Sequence, residues 1–151
     1  MIELIATVII TVSSIALFAY WFRYTCLLIL SAKTARDYTS EVAASNQLAF
    51  PEVQAQLQVG ATADLDRLRI SLDRDYRIVR DLLKYMPKET EGQSSLETQM
   101  LAINYRLMST WYQVTRHLSE TAAAKALSEM SMVVAHFANT MGAQAASAAA
   151  A

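Results

Sequence analysis

The sequence predicts an all-α protein in which a single N-terminal transmembrane helix precedes an amphipathic helical hairpin or three-helix bundle. Residues 4–22 form a run of 19 residues without a charged side chain. Further along, apolar residues recur at spacings of three and four, the period of one helix face. The whole chain of 151 residues contains only 3 Gly and 2 Pro. That is little turn material for a fold of many short strands.

The first element is LIATVIITVSSIALFAYWF, from Leu4 to Phe22. As a helix it is about 28 Å long, close to the hydrocarbon thickness of a bilayer. Thr7, Thr11, Ser13 and Ser14 do not prevent insertion, because their hydroxyls can bond back to main-chain carbonyls. Tyr20, Trp21 and Tyr24 gather beside Arg23, as an aromatic belt with a snorkelling cation would. Leu4, Trp21, Phe22 and Arg23 therefore mark the anchor. A cleavable signal peptide fits poorly, since Glu3 replaces a basic start and bulky aromatics fill the cleavage region. A buried soluble helix fits no better, because the run is apolar all round.

No cation precedes this span, whereas Arg23, Lys33 and Arg36 follow it. The positive-inside rule then puts the N-terminus outside the cell membrane and the helical domain in the cytoplasm. The apolar run resumes at Cys26-Leu27-Leu28-Ile29-Leu30, so the helix is expected to leave the bilayer and pack this patch on protein. Cys26 reads as a small buried side chain before it reads as a palmitoylation site.

The remainder divides into a connector, 33–61, broken at Pro51 and Gly60; an antiparallel hairpin, 62–141; and an Ala-rich tail, 142–151. Within the connector, residues 33–47 read as helix, and Pro51 opens a short second one that Val59-Gly60 closes. Thr62 is the expected N-cap of the next helix, with Asp64 and Asp66 in its first turn. Its apolar stripe is Leu65, Leu68, Leu72, Tyr76, Val79, Leu83 and Met86, and Pro87 stops it. After a polar loop, a helix starting at Ser94 or Ser95 carries Leu96, Met100, Ile103, Leu107, Trp111, Val114 and Leu118. The same stripe runs on through Ala122, Leu127, Met130, Val134, Phe137 and Met141, as one helix of more than 40 residues. The segment from Met130 to the end has no formally charged side chain, but His136, Asn139 and Gln144 make it a poor second span. The last ten residues are expected to fray.

Function classes narrow by exclusion. With 13 Lys+Arg against 14 Asp+Glu there is no electrostatic footprint for nucleic acid. One cysteine allows neither an internal disulfide nor a cysteine-based zinc site. Gly60, Gly92 and Gly142 build no phosphate-cradling loop, and no serine sits in a nucleophile elbow. His117 and His136 lie on different helix faces, and Val114 and Val133 occupy the positions where a di-iron bundle needs Glu. No metal, cofactor or catalytic residue is expected.

What remains is binding. A partly uncovered second half of the long helix makes Met130, Val134, Phe137 and Met141, with Trp111, candidates for a protein interface. Arg74, Arg77 and Arg80 could dock an acidic partner or anionic lipid headgroups, although Asp73–Arg77 and Arg77–Asp81 at i, i+4 fit a solvated face of ion pairs better. The opening Ile2-Glu3-Leu4-Ile5 resembles the start of a mature type IV pilin over some ten residues, without the strands of a pilin head. The anchor and stripes resemble membrane-anchored helical signalling modules such as chemoreceptor-like coiled coils, but Pro51, Gly60 and Pro87 interrupt the continuous rod. The expected function is a non-catalytic structural or accessory subunit of a membrane assembly. Its partners would be the bilayer and other membrane subunits or itself. A regulatory module is the alternative, and an enzyme or cofactor carrier without a recognisable motif comes third.

Overall fold

The computed structural model describes residues 1–60, 64–86 and 93–150. These residues are all-α, with no strand among them. The helices are α1 (Ile2–Ser31), α2 (Thr39–Asn46), α3 (Phe50–Gln58), α4 (Leu65–Tyr85), α5 (Gln93–Thr115) and α6 (Glu120–Ala150). The chain divides into two compact units, Met1–Ala32 and Lys33–Ala151.

The first unit is α1 alone. It has 30 residues and is long and apolar enough to cross a membrane. Its threonines are satisfied within the helix. Thr7 Oγ1 donates to the Glu3 carbonyl and Thr11 Oγ1 to the Thr7 carbonyl, each at 2.8 Å. These back-bonds remove the polar groups that would otherwise resist hydrocarbon. Tyr20, Trp21 and Tyr24 form one aromatic cluster, with Trp21 meeting Tyr24 edge-on at 5.9 Å. Leu4 and Trp21 are exposed, Phe22 and Arg23 half-buried and Cys26 buried.

The second unit is built round α6, which packs against α2, α3, α4 and α5. Its buried positions include Ala123, Ala126, Leu127, Met130, Val133, Val134, Phe137, Ala138 and Met141. They draw one broad face about 140° wide at ~100° per residue, while Lys125, Ser128 and Met132 on the opposite side are exposed, so the core is built on one side of this helix. Ala123, Ala126 and Ala138 keep its surface slim where neighbours approach, and the larger side chains fill the gaps between them.

Four sequence expectations need correction. First, the stretch 94–141 is not one helix. The chain turns at residues 116–119, where Leu118 N–H donates to the Thr115 carbonyl at 2.9 Å. Ser119 then opens α6, its Oγ accepting from Ala122 N–H at 3.4 Å, with Glu120 at the positive helix end. Second, helix does not fill 33–47, because α2 begins only at Thr39. Asp37 Oδ1 accepts from the Thr39 N–H at 2.9 Å and hydroxyl at 2.6 Å, a local turn that competes with helix upstream. Asn139 on α6 fixes that upstream segment, accepting from Tyr38 N–H at 2.8 Å and donating to the Thr34 hydroxyl at 3.1 Å.

Third, the cap of α4 is Asp64, which accepts from Arg67 N–H at 3.2 Å; Thr62, the expected cap, lies outside the described residues. The loop after Pro87 is also outside them, and the side chain of Ser94 is not described. Fourth, residues 142–150 continue α6 instead of fraying. Gly142 is buried, and a Cβ placed there would collide with the Cβ of Tyr38 and crowd Val42 at 3.1 Å. This glycine is where α2 crosses α6.

Asp75 makes the least expected contact. Its side chain is fully buried on α4, yet Oδ2 accepts from Ala49 N–H at 2.6 Å and Phe50 N–H at 2.7 Å. It therefore caps α3 from another helix, with its negative charge at the positive end of α3. Pro51, next in line, has no N–H to satisfy. Gly60, at φ +73°, ends the following turn in the left-handed conformation that glycine adopts without steric cost.

Two substitutions test this packing. Asp75→Ala strands two N–H groups in the core and should lower unfolding stability by about 2–4 kcal/mol in a denaturant titration. Gly→Ala within a helix normally stabilises by ~1 kcal/mol. Here Gly142→Ala should instead destabilise by about 1–3 kcal/mol, since the obstructing atom is fixed to the α2 backbone. A more stable Gly142→Ala variant would show that α2 does not cross α6 at this point.

Candidate interaction surface

The helix that matters most for binding is α5, because it carries two stripes at helical spacing. Leu101, Asn104, Tyr105, Met108, Tyr112 and Thr115 are buried. Leu96, Ile103, Leu107, Trp111, Val114 and Leu118 are exposed, the last of them just beyond the helix end. The more apolar of the two stripes faces outward. Trp111, which the sequence puts on the apolar stripe and marks as an interface candidate, is 52% exposed, while its neighbour Tyr112 is 1% exposed.

Hydrogen bonding explains the choice. The α5 tyrosines reach α4, which itself packs on α6, and their hydroxyls find acceptors there. Tyr105 donates to Asp73 Oδ1 at 2.8 Å, and Tyr112 to Asp66 Oδ1 at 2.9 Å. Between them, Arg69 donates to Ser109 Oγ at 3.4 Å. As the α4 position rises the α5 position falls in step, which makes α4 and α5 an antiparallel pair joined by side chains. Tyr105 also stacks on Tyr76, with ring centroids 3.9 Å apart. Asn104 donates to Glu129 Oε1 on α6 at 2.8 Å. Leucine and isoleucine side chains could not make these bonds, so the amphipathic tyrosines take the inside.

Electrostatics follow from the same contacts. Burial, with help from Asp73, pushes the Tyr105 phenol well above its ordinary range. Burial and the bond to Asp66 push Tyr112 up to about 12. Both phenols stay protonated and keep donating throughout the physiological range. His136, half-buried on α6, is pushed below its ordinary value by burial, and Glu97 partly opposes this.

The other sequence-singled residues fall into two groups. Met130, Val134, Phe137 and Met141 belong to the internal core. The cover expected from another polypeptide is supplied by α2, α3, α4 and α5 of the same chain. Their part in the proposed interface is withdrawn for that reason. Met132, two residues after Met130 on the same helix, is exposed. Arg74 and Arg77 are exposed on α4, but Arg74 is engaged locally. It donates to the Gln47 carbonyl at 3.1 Å and meets Asp75 at 3.4 Å. Asp73 is held by Arg69 at 3.7 Å and by Tyr105, in place of the expected Arg77. His117 accepts from Arg116 Nε at 3.0 Å.

Among the described residues no group of three or more His, Cys, Asp and Glu side chains could hold a metal ion. A shallow groove of about 310 Å³ between α4, α5 and α6 is lined by Arg80, Lys84, Thr98, Gln99, Thr140 and Gln144. Lys84 there is paired with Asp81 at 3.2 Å and Arg80 lies over the Tyr76 ring at 5.9 Å. These contacts use the two cations within the fold.

No family model, no curated protein and no solved structure matches this chain. The functional reading therefore rests on the chain's own geometry, and the uncovered α5 stripe is its most distinctive surface.

Two measurements check the assignment of faces. Trp111→Ala should change unfolding stability by less than about 1 kcal/mol, whereas Tyr112→Ala should cost about 3–5 kcal/mol. Equal costs would mean that both residues are core. For His136 the unfolded state binds the proton more readily than the folded one. Stability is therefore lost as pH falls through the ordinary histidine range toward the depressed folded value. Melting temperatures between pH 7.5 and 5 should fall less steeply in His136→Gln than in the parent chain.

Proposed function

We propose that this is a non-catalytic, single-pass membrane protein that works through contacts, as a structural or accessory subunit of a membrane-associated assembly. The exposed apolar stripe on α5 carries the reading. Leu96, Ile103, Leu107, Trp111 and Val114 form one band on a helix whose other face is already packed, and Leu118 extends it into the following turn. Soluble monomers rarely leave a band of that size in water, and such bands mark association surfaces. Trp is also among the residues that most often dominate binding energy.

α1 supports the membrane part of the proposal. Its apolar length, its internally bonded threonines and its aromatic cluster suit a bilayer span. In the proposed orientation Arg23, Lys33 and Arg36 lie on the cytoplasmic side, with the helical unit. A surface held at a membrane meets partners at a raised effective concentration, so a modest interface is enough.

Crosslinking in intact membranes tests the proposal. The full-length chain, carrying a photoreactive residue in place of Val114, should form adducts with a defined polypeptide. The same probe at Arg77 should not. Absence of adducts from Val114, with α1 embedded, would refute it.

A further inference from the structure

The exposed stripe has an internal symmetry. Its positions are 96, 100, 103, 107, 111, 114 and 118, separated by four, three, four, four, three and four residues. The pattern reads the same in both directions from Leu107. Repeats of 4-3-4 make eleven residues over three turns, about 3.67 residues per turn, so the band runs almost straight along the helix. Apart from half-buried Met100, its members are 46–79% exposed.

We infer that the partner of this stripe is a second copy of the same chain, with the two α5 helices antiparallel about a two-fold axis at Leu107. An isologous interface requires one patch to complement itself under that rotation. Here the rotation sets Leu107 on its own copy, Ile103 against Trp111 and Met100 against Val114 within α5, and brings Leu96 toward the turn that carries Leu118. Larger side chains thus meet smaller ones at two of the rungs, and no polar residue falls in the seam.

Area and charge favour the same occupant. The six exposed side chains present roughly 600 Å² of apolar surface. With the flanking Gln99, Thr110 and Gln113 this approaches the ~800 Å² per partner of a standard interface. Across the stripe's span, 96 to 118, the charged residues are Glu97, Arg106 and Arg116, and none of them stands on the stripe; Arg116 is paired with Asp66 at 2.9 Å. The stripe positions themselves carry no charge for a partner to pair with, which suits an identical uncharged stripe. The inference rests on the proposed contact function and names its partner.

Disulfide trapping tests it on the full-length chain in liposomes, comparing Leu107→Cys, Arg77→Cys and the parent, whose sole cysteine is Cys26. Under mild oxidation Leu107→Cys should give a linked dimer at least about tenfold faster than the other two, since its copies meet at the axis. In mild detergent, sedimentation of the double variant Leu107→Lys with Val114→Lys should show at least about tenfold weaker dimerisation. Its helical circular dichroism should stay unchanged, because both sites are exposed. Equal trapping at 107 and 77, or a monomeric parent at all concentrations, would overturn the inference. If Val114 nevertheless crosslinks to a different polypeptide, the contact function stands and only the identity of the partner falls. If Val114 gives no adduct at all, both fall together.

Discussion

The demand of α6 for cover over its broad apolar face shapes the second unit. The charged residues of this 31-residue helix, Glu120, Lys125 and Glu129, all lie in its first ten positions, and the apolar face beyond them draws most of its stability from packing. Four helices meet that demand, and each contributes a device that fixes its position. Asn139 holds the chain before α2, and Gly142 lets α2 approach. Asp75 caps α3, while the tyrosines of α5 reach the carboxylates of α4. With the core satisfied from within the chain, the outward stripe of α5 is left as surplus apolar surface.

The helical class, the apolar opening helix and the break at Pro51 could all be read from residue types. Each depends on local physics: missing charge, few turn residues, and the backbone restriction around proline. Asp64 was recognised as a first-turn residue but not as the cap, a shift of two positions that spacing alone could not settle.

The two faces of α5 could not be read in the same way. Counting apolar residues places Leu96, Ile103, Leu107 and Trp111 inward, because that stripe is the greasier one. The fold selects Asn104, Tyr105 and Tyr112, whose polar ends find Glu129, Asp73 and Asp66 only once three helices have assembled. The cap that Asp75 gives to α3 is hidden from sequence for the same reason, since 25 residues separate it from Phe50. The break after Thr115 did leave a signal, Ser119-Glu120, a cap residue followed by an acid. A continuous apolar stripe masked it.

Hydrogen exchange across α6 at widely separated protein concentrations, on the full-length chain carrying Leu107→Lys and Val114→Lys so that α5 association does not contribute, tests the central claim most directly. If the helix is covered by its own chain, amides from Ala126 to Met141 exchange only through global unfolding, equally slowly at every concentration. Protection that weakens on dilution would contradict this, because it would mean that another molecule supplies the cover.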